Sequence, residues 1–441
     1  MRITLPQGVT LYHADCREAL RSLPSDSIDS VPCDPPYELN FMGKGWDDTG
    51  IANDPALWAE VFRVLKPGGH LAAFSASRTY HRMACAIEDA GFEIRDSLMW
   101  IYGVGFPKSL NVSKAIDKAA GATRTEIVGT KLGRPGMSKD GSNQRSGFDD
   151  AFGGEASGTM STDILAPATP EAAEWEGWGT ALKPAFEPIV LARKPLSEPT
   201  VAANVLKWRT GALNIGACRV GYESDADFEK AKGGDSASNK GGEFLGAKGA
   251  MKQSEKIDRS GRWPANLVHD GSDEVVGMFP NTGPSKAAKT TTLLQRQDNK
   301  GLGSITPGNT HSDAGGSAAR FFYSAKASRA DRNGSKHPTV KPIALMEWLA
   351  KLITPPGGTI LDPFAGSGTT GIAATRCGFK AILCEREAEY VADIRARFAP
   401  QPRPSLRIHP DHLRQEAHAF QAIRDLRTRW AAAGVAGGVR A

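Results

Sequence analysis

The chain has 441 residues, of which 40% are hydrophobic and 23% charged, and its formal net charge is +5. That is enough apolar material for one large domain with insertions or for two domains, and the mild basicity is compatible with nucleic acid without being diagnostic of it. The start lacks a basic patch followed by an apolar run, no apolar stretch is long enough to span a bilayer, and the six cysteines have no Cys-x-x-Cys spacing. The expectation is a cytoplasmic protein with reduced thiols, no metal site and no membrane contact.

In chain order, residues 9–13 read as a short strand and 16–23 as a helix that Asp15 is placed to cap. Residues 27–33 form a strand running into Asp34. Residues 55–65 carry Leu57, Val61, Phe62 and Leu65 at helical spacing, and Lys66-Pro67-Gly68-Gly69 is a stop-and-turn signal. A strand at 70–75, a helix at 79–90 and a strand at 92–102 follow. The stretch 131–180 is rich in Gly and Ser and reads as a flexible loop. Order returns with a strand at 187–193 and a helix at 200–207, then gives way to loose stretches at about 223–260 and 283–317. The C-terminal block predicts regular structure at 320–325, a helix at 343–353, a strand at 359–362, a helix at 370–377, a strand at 380–385 and a helix at 388–398. The tail has one further candidate helix at 411–432. Strands alternating with helices imply an α/β fold, a mainly parallel sheet with helices on both faces.

Two segments carry chemistry. The first is Asp34-Pro35-Pro36-Tyr37, after an apolar strand. The second is 361–370 (LDPFAGSGTT), after another. In the second, Asp362 ends the strand, and Phe364, Gly366, Gly368 and Thr369 lie in the turn into a helix. Small residues there let the backbone approach a ligand, and a helix N-terminus offers free N–H groups. The loop lacks Gly-Lys-Ser/Thr, which argues against a nucleoside triphosphate. Glu385, ending the next strand, is well placed to accept hydrogen bonds from ribose hydroxyls.

Together the two segments resemble the catalytic tetrapeptide and the S-adenosylmethionine (AdoMet) loop of amino-methyltransferases that act on DNA bases. With the catalytic motif first and the cofactor motif last, the chain resembles the beta group of N6-adenine/N4-cytosine DNA methyltransferases. Residues 337–342 (HPTVKP) look like that family's HPTxKP segment, which brings His337 and Lys341 to the methionine end of the cofactor. The resemblance implies a Rossmann-like AdoMet-dependent methyltransferase fold with circularly permuted motif order. Phe364 would pack on the cofactor, and Asp15 would lie near its adenine, with helix capping as the competing role. Asp34 and the Pro35 carbonyl would accept the two N–H bonds of an exocyclic amine, whose lone pair is otherwise delocalised into the ring. Tyr37 would stack on an extruded base.

The implied division is 1–120 as the catalytic half, 121–330 as a central insertion for target recognition, 331–400 as the AdoMet half and 401–441 as a tail. Within 286–341 ten basic residues stand against three acidic ones, a pattern that fits phosphate contact. Trp208, Arg209, Arg262, Trp263 and Asn266 are candidates for base contact by residue type alone. Residues 38–50, with Gly43, Lys44, Gly45 and Trp46, suggest a loop that closes over a flipped nucleotide. Double-stranded DNA is the expected partner, with a homodimer and a cognate restriction endonuclease as further candidates. Asp at position 34 favours N6-adenine, since N4-cytosine enzymes more often have Ser there. The alternatives are N4-cytosine methylation, an RNA or protein-glutamine methyltransferase, which usually has Asn at that position, and a DNA-binding relative without activity.

Overall fold

The computed structural model describes residues 1–39, 45–103, 105, 109–132, 161–222, 224–225, 227–228, 259–282, 316–325, 329–332, 335, 337 and 339–399. Most of the basic stretch, Gly43 and Lys44, and the helix expected at 411–432 lie outside the described residues.

The strands are β1 (Arg2–Leu5), β2 (Val9–His13), β3 (Ile28–Cys33), β4 (Leu65–Phe74), β5 (Glu93–Ile101), β6 (Ile127–Leu132), β7 (Ser161–Leu165), β8 (Phe186–Arg193), β9 (Leu267–His269), β10 (Asn281–Thr282), β11 (Gly316–Ser317), β12 (Tyr323–Ser324), β13 (Thr359–Asp362) and β14 (Lys380–Glu385). Ten of them form one sheet in the order β1-β2-β14-β13-β3-β4-β8-β5-β9-β12. From β2 to β4 every neighbouring pair is parallel. β8 is antiparallel to both of its neighbours, and β1 is antiparallel to β2. The sheet is thus mixed but mainly parallel, as expected. β3 is buried at every position, the mark of a strand covered on both faces.

Two apolar layers provide that cover. The helices Cys16–Arg21, Pro55–Val64 and Tyr80–Asp89 bury Leu20, Leu57, Trp58, Val61, Met83 and Ile87 against Val31, Cys33, Leu71 and Ala73. On the other face Ile343–Ile353 sets Leu345, Met346, Trp348 and Leu349 against Ala72, Phe74 and Ile189.

Connections leave the centre in opposite directions. From β13 the chain passes through helix Thr369–Arg376 to β14, on one side. From β3 it passes through helix Pro55–Val64 to β4, on the other. The boundary between β13 and β3 is therefore a switch in strand order, where open α/β sheets form a crevice at their carboxyl ends. Asp34 and Asp362 stand at those ends.

Three expectations need correction. The Pro67-Gly68-Gly69 turn does not separate a helix from a strand. It is a bulge inside β4, where the register with β3 slips between Ile28/Leu65 and Ser30/His70. Gly68 has φ +79, and a Cβ there would collide with Asn204, whose Nδ2 donates to the Pro67 carbonyl at 2.9 Å. The stretch 131–180 is not one loop: β7 pairs antiparallel with β6, and helix Pro170–Glu174 follows. Asp117 anchors that helix by accepting from Thr169 N at 3.0 Å and Thr169 Oγ1 at 2.8 Å. Finally, the region expected as an insertion supplies β8, β9 and β12 to the main sheet. No helix among the described residues is long and apolar enough to cross a membrane.

Candidate active site

Where β3 ends, the backbone is pinned from several sides. Pro35 and Pro36 restrict it by ring geometry. The Asp47 carboxylate accepts N–H groups from Tyr37 at 2.7 Å, Glu38 at 3.0 Å and Leu39 at 3.3 Å. Thr79 Oγ1 donates to the Tyr37 carbonyl at 2.8 Å. Glu38 has φ 55 and accepts from Gly50 N at 2.7 Å and Ala52 N at 3.3 Å. The tetrapeptide is therefore presented by a fixed turn.

Its side chains meet two residues from far along the chain. Lys341 Nζ donates to Asp34 Oδ2 at 2.6 Å and to Tyr37 Oη at 3.0 Å, and lies 3.3 Å from Glu187 Oε2. Tyr37 Oη in turn donates to Glu187 Oε2 at 2.9 Å. The ammonium also sits over the rings of Tyr37 and Phe74, at 5.2 and 4.9 Å from their centroids. Burial opposes the charge on Lys341, but the Asp34 and Glu187 carboxylates outweigh it, and its pKa rises above the ordinary lysine value. Burial pushes Glu187 up, against the pull of Lys341. Burial, then the Asp34 and Glu187 charges, keep the Tyr37 phenol protonated well beyond its usual range. One atom of this cluster has no partner: Asp34 Oδ1 is buried and accepts nothing. A buried acceptor left open costs free energy unless a donor arrives.

Lys341 thus contacts Asp34 and Tyr37 of the tetrapeptide, whereas the sequence reading set it at the methionine end of the cofactor. Glu187 was read only as the start of a strand. It stands between Phe186 and Pro188, and nothing local distinguishes an acidic residue facing a pocket from one facing solvent.

The second group surrounds the carboxyl ends of β13 and β14. Asp362 is buried, and its Oδ1 accepts Phe364 N at 3.0 Å. Burial raises its pKa to about 7, opposed by hydrogen bonds from Thr370 and Phe364 and reinforced by the Asp34 charge. Gly366 and Gly368 have φ +51 and +77, a backbone that side chains disfavour. A Cβ at Gly366 would come within 3.1 Å of the His337 ring, and one at Gly368 within 3.0 Å of Ile394. The loop is thereby packed on one side by its own protein. His337 Nδ1 lies 2.8 Å from the Thr339 carbonyl, and its ring packs edge-on against Tyr390. Thr369 Oγ1 contacts Ser367 Oγ at 2.9 Å, and Arg397, which the sequence reading missed, donates to the Ser367 carbonyl at 2.5 Å. Phe364 is half-buried, 6.4 Å from Trp58 between ring centroids.

Glu385 closes the loop. Its Oε2 accepts Gly366 N and its Oε1 accepts Glu387 N, both at 2.8 Å. Burial raises its pKa to about 7 against those backbone donors. A carboxylate has room for more acceptor contacts than these backbone donors fill. Asp15 lies one strand away, since Ala14 N donates to the Glu385 carbonyl at 3.1 Å. Its carboxylate caps helix Cys16–Arg21 and pairs with Arg17 at 3.0 and 2.8 Å, so the capping role is the one its contacts support.

The candidates for base contact mostly have structural partners. Arg262 pairs with Asp227 at 2.5 Å and stacks over Tyr222 and Phe321. Asn266 donates to Asp96 at 3.1 Å, and Trp208 to Ser197 at 2.7 Å. Arg209 donates to the Pro356 carbonyl at 3.2 Å. Trp263 is 62% exposed.

Among characterised proteins, the type II methyltransferase M2.DpnII of Streptococcus pneumoniae is 44% identical over 69 residues, 16% of this chain and 26% of that one. M2.LlaDCHI of Lactococcus lactis subsp. cremoris is 43% identical over 63 residues, 14% and 23% respectively. The matched stretch spans about a quarter of the length of these relatives. Among solved structures, the M1.HpyAVI–SAM complex aligns over 88% of this chain and 99% of its own, at 16% identity and a TM-score of 0.35. PvuII DNA methyltransferase (cytosine-N4-specific) aligns over 91% of each chain, at 16% identity and a TM-score of 0.41. The family model described as DNA methylase matches residues 28–396, which run from the strand that delivers Asp34 to the helix behind Glu385, and the chain belongs to that N6/N4 DNA methylase family.

Proposed function

We propose that this protein transfers a methyl group from AdoMet to the exocyclic N6 of adenine in double-stranded DNA, with the target base rotated out of the helix. The observation that carries the reading is the open acceptor: Asp34 Oδ1 is buried, without a partner, at the carboxyl end of the strand adjacent to β13. A base amine is the donor it suits. The residues around the Gly366 loop fit AdoMet. The backbone there is bare, Phe364 offers an aromatic face, and Glu385 keeps lone pairs for two ribose hydroxyls. When bound, AdoMet supplies an electrophilic methyl group on a sulfonium.

The chain's own residues then have distinct tasks. Lys341 holds Asp34 by one oxygen and leaves the other to accept an amine N–H. The Pro35 carbonyl accepts the second N–H, which favours a pyramidal nitrogen with its lone pair freed. Tyr37, tied at its hydroxyl and its carbonyl, is a fixed ring for stacking. Aspartate at position 34 supports N6-adenine as the target. The test is incubation of purified protein and AdoMet with DNA, followed by nucleoside mass spectrometry and modification-sensitive sequencing. N6-methyladenine in a defined context is the expected result. N4-methylcytosine would move the target to the other base, and no methylated base on any DNA would refute the reading.

A further inference from the structure

We propose that Glu187 is a positioning residue that fixes Lys341 and Tyr37, and so keeps one oxygen of Asp34 open for the target amine. The inference rests on the methyl transfer proposed above.

An ammonium has three protons to donate. Around Lys341 Nζ there are three acceptors: Asp34 Oδ2 at 2.6 Å, Tyr37 Oη at 3.0 Å and Glu187 Oε2 at 3.3 Å. Two of the protons go to Asp34 Oδ2 and Tyr37 Oη, and the Glu187 carboxylate holds the ammonium by its charge. Tyr37 completes the ring by donating its own proton to Glu187 at 2.9 Å. Glu187 accepts from Tyr37 and pairs by charge with Lys341. It is held by a rigid element: β8 is antiparallel between β4 and β5, and Glu187 pairs with Trp100 across the strands. Without Glu187 the ammonium loses one of its two counter-charges and is freer to shift toward Asp34 Oδ1, and the Tyr37 hydroxyl loses the acceptor for its proton. Both losses would misplace groups at the proposed reaction centre, where misplacement by about 1 Å costs about a hundredfold in rate.

The other groups facing this ring are His337, which feels Asp34 and Lys341, Tyr102, which feels Glu187, and Asp362 and Cys33, which feel Asp34. None of them contributes a second negative charge beside the ammonium at contact distance. Glu187 is therefore the residue whose charge, apart from that of Asp34, sets the titration of Lys341.

The experiment compares wild type, Glu187→Gln and Glu187→Asp. In protein labelled with carbon-13 lysine, the Lys341 Cε signal is identified by its loss in Lys341→Met and followed with pH. Its deprotonation midpoint should fall in Glu187→Gln and return toward wild type in Glu187→Asp, which restores the charge. Single-turnover methyl transfer should drop about a hundredfold in Glu187→Gln and recover in part in Glu187→Asp, with AdoMet affinity by calorimetry unchanged in both. An unmoved midpoint overturns the proposal, as does a rate loss matched by a loss of AdoMet affinity. A wild type that methylates no DNA removes the proposed function instead, and the Lys341 midpoint still decides whether Glu187 governs the ammonium.

Discussion

Replacing Lys341 with methionine removes a cation from between two carboxylates while keeping the length and packing of the side chain. Breaking a buried ion pair from one side costs about 3–5 kcal/mol, because a charge is left without its partner. Here two charges are stranded, but the Asp34 and Glu187 side chains retain 22% and 17% exposure, and burial already favours the protonated form of Glu187. We expect a loss of about 2–3 kcal/mol at pH 8.5 and about 1 kcal/mol at pH 5.5, where protonation of Glu187 relieves part of the cost. The sign follows from linkage. Glu187 already has a folded pKa above its ordinary 4.5, because burial outweighs the pull of Lys341. In the variant that pull is gone and the folded pKa moves further up. A raised carboxylate contributes stability that is full below its unfolded pKa and is lost as pH rises through the folded one. The quantity to measure is the urea midpoint, followed by tryptophan fluorescence, for both proteins at both pH values. The difference should widen toward alkaline pH. An equal loss at both, or a larger loss at pH 5.5, would refute the account of Lys341 as the counter-ion of this pair.

Asp34→Ala should abolish methyl transfer, by about a hundredfold or more, while calorimetry finds AdoMet binding intact; parallel loss of both would place Asp34 on the cofactor. Glu385→Ala should weaken AdoMet binding and regain part of the rate at saturating cofactor, and an unchanged dissociation constant would limit Glu385 to holding Gly366. Gly368→Ala should destabilise the fold by about 1–2 kcal/mol, since φ is +77 and the new methyl would lie 3.0 Å from Ile394; an unshifted urea midpoint would mean that the loop tolerates a side chain.

Much of the central architecture could be read from the chain because its signals are local. β3 and β13 are short strand-like runs, each closed by aspartate, and the chemistry proposed to unite Asp34 with the Gly366 loop implies that the two strands meet. They do, with Ile360 beside Ser30. What escaped was set by distant partners. Lys341 reaches an aspartate 307 positions away. Glu187 owes its direction to the antiparallel insertion of β8, which no local pattern announces. The Pro67-Gly68-Gly69 bulge looks like a terminator until Asn204 and Thr210 are seen to grip the Pro67 carbonyl from another segment. The short elements between 161 and 174 were missed for the same reason, as their anchor is Asp117 on an earlier helix.

The order of the sheet has a consequence for how the protein comes into being. β2 and β3 lie close together in sequence, yet they are not neighbours, because β14 and β13 lie between them. A nascent chain therefore carries a two-strand gap at its centre while some three hundred further residues are synthesised. Both rims of that gap are then unpaired strand edges, open to pairing with the wrong chain. Closure requires contacts between the most distant parts of the polypeptide, the slowest class of folding step. It also delivers Lys341, the Gly366 loop and Glu385 together. The polypeptide thus gains the counter-ion of Asp34 and the proposed cofactor cradle in one late event.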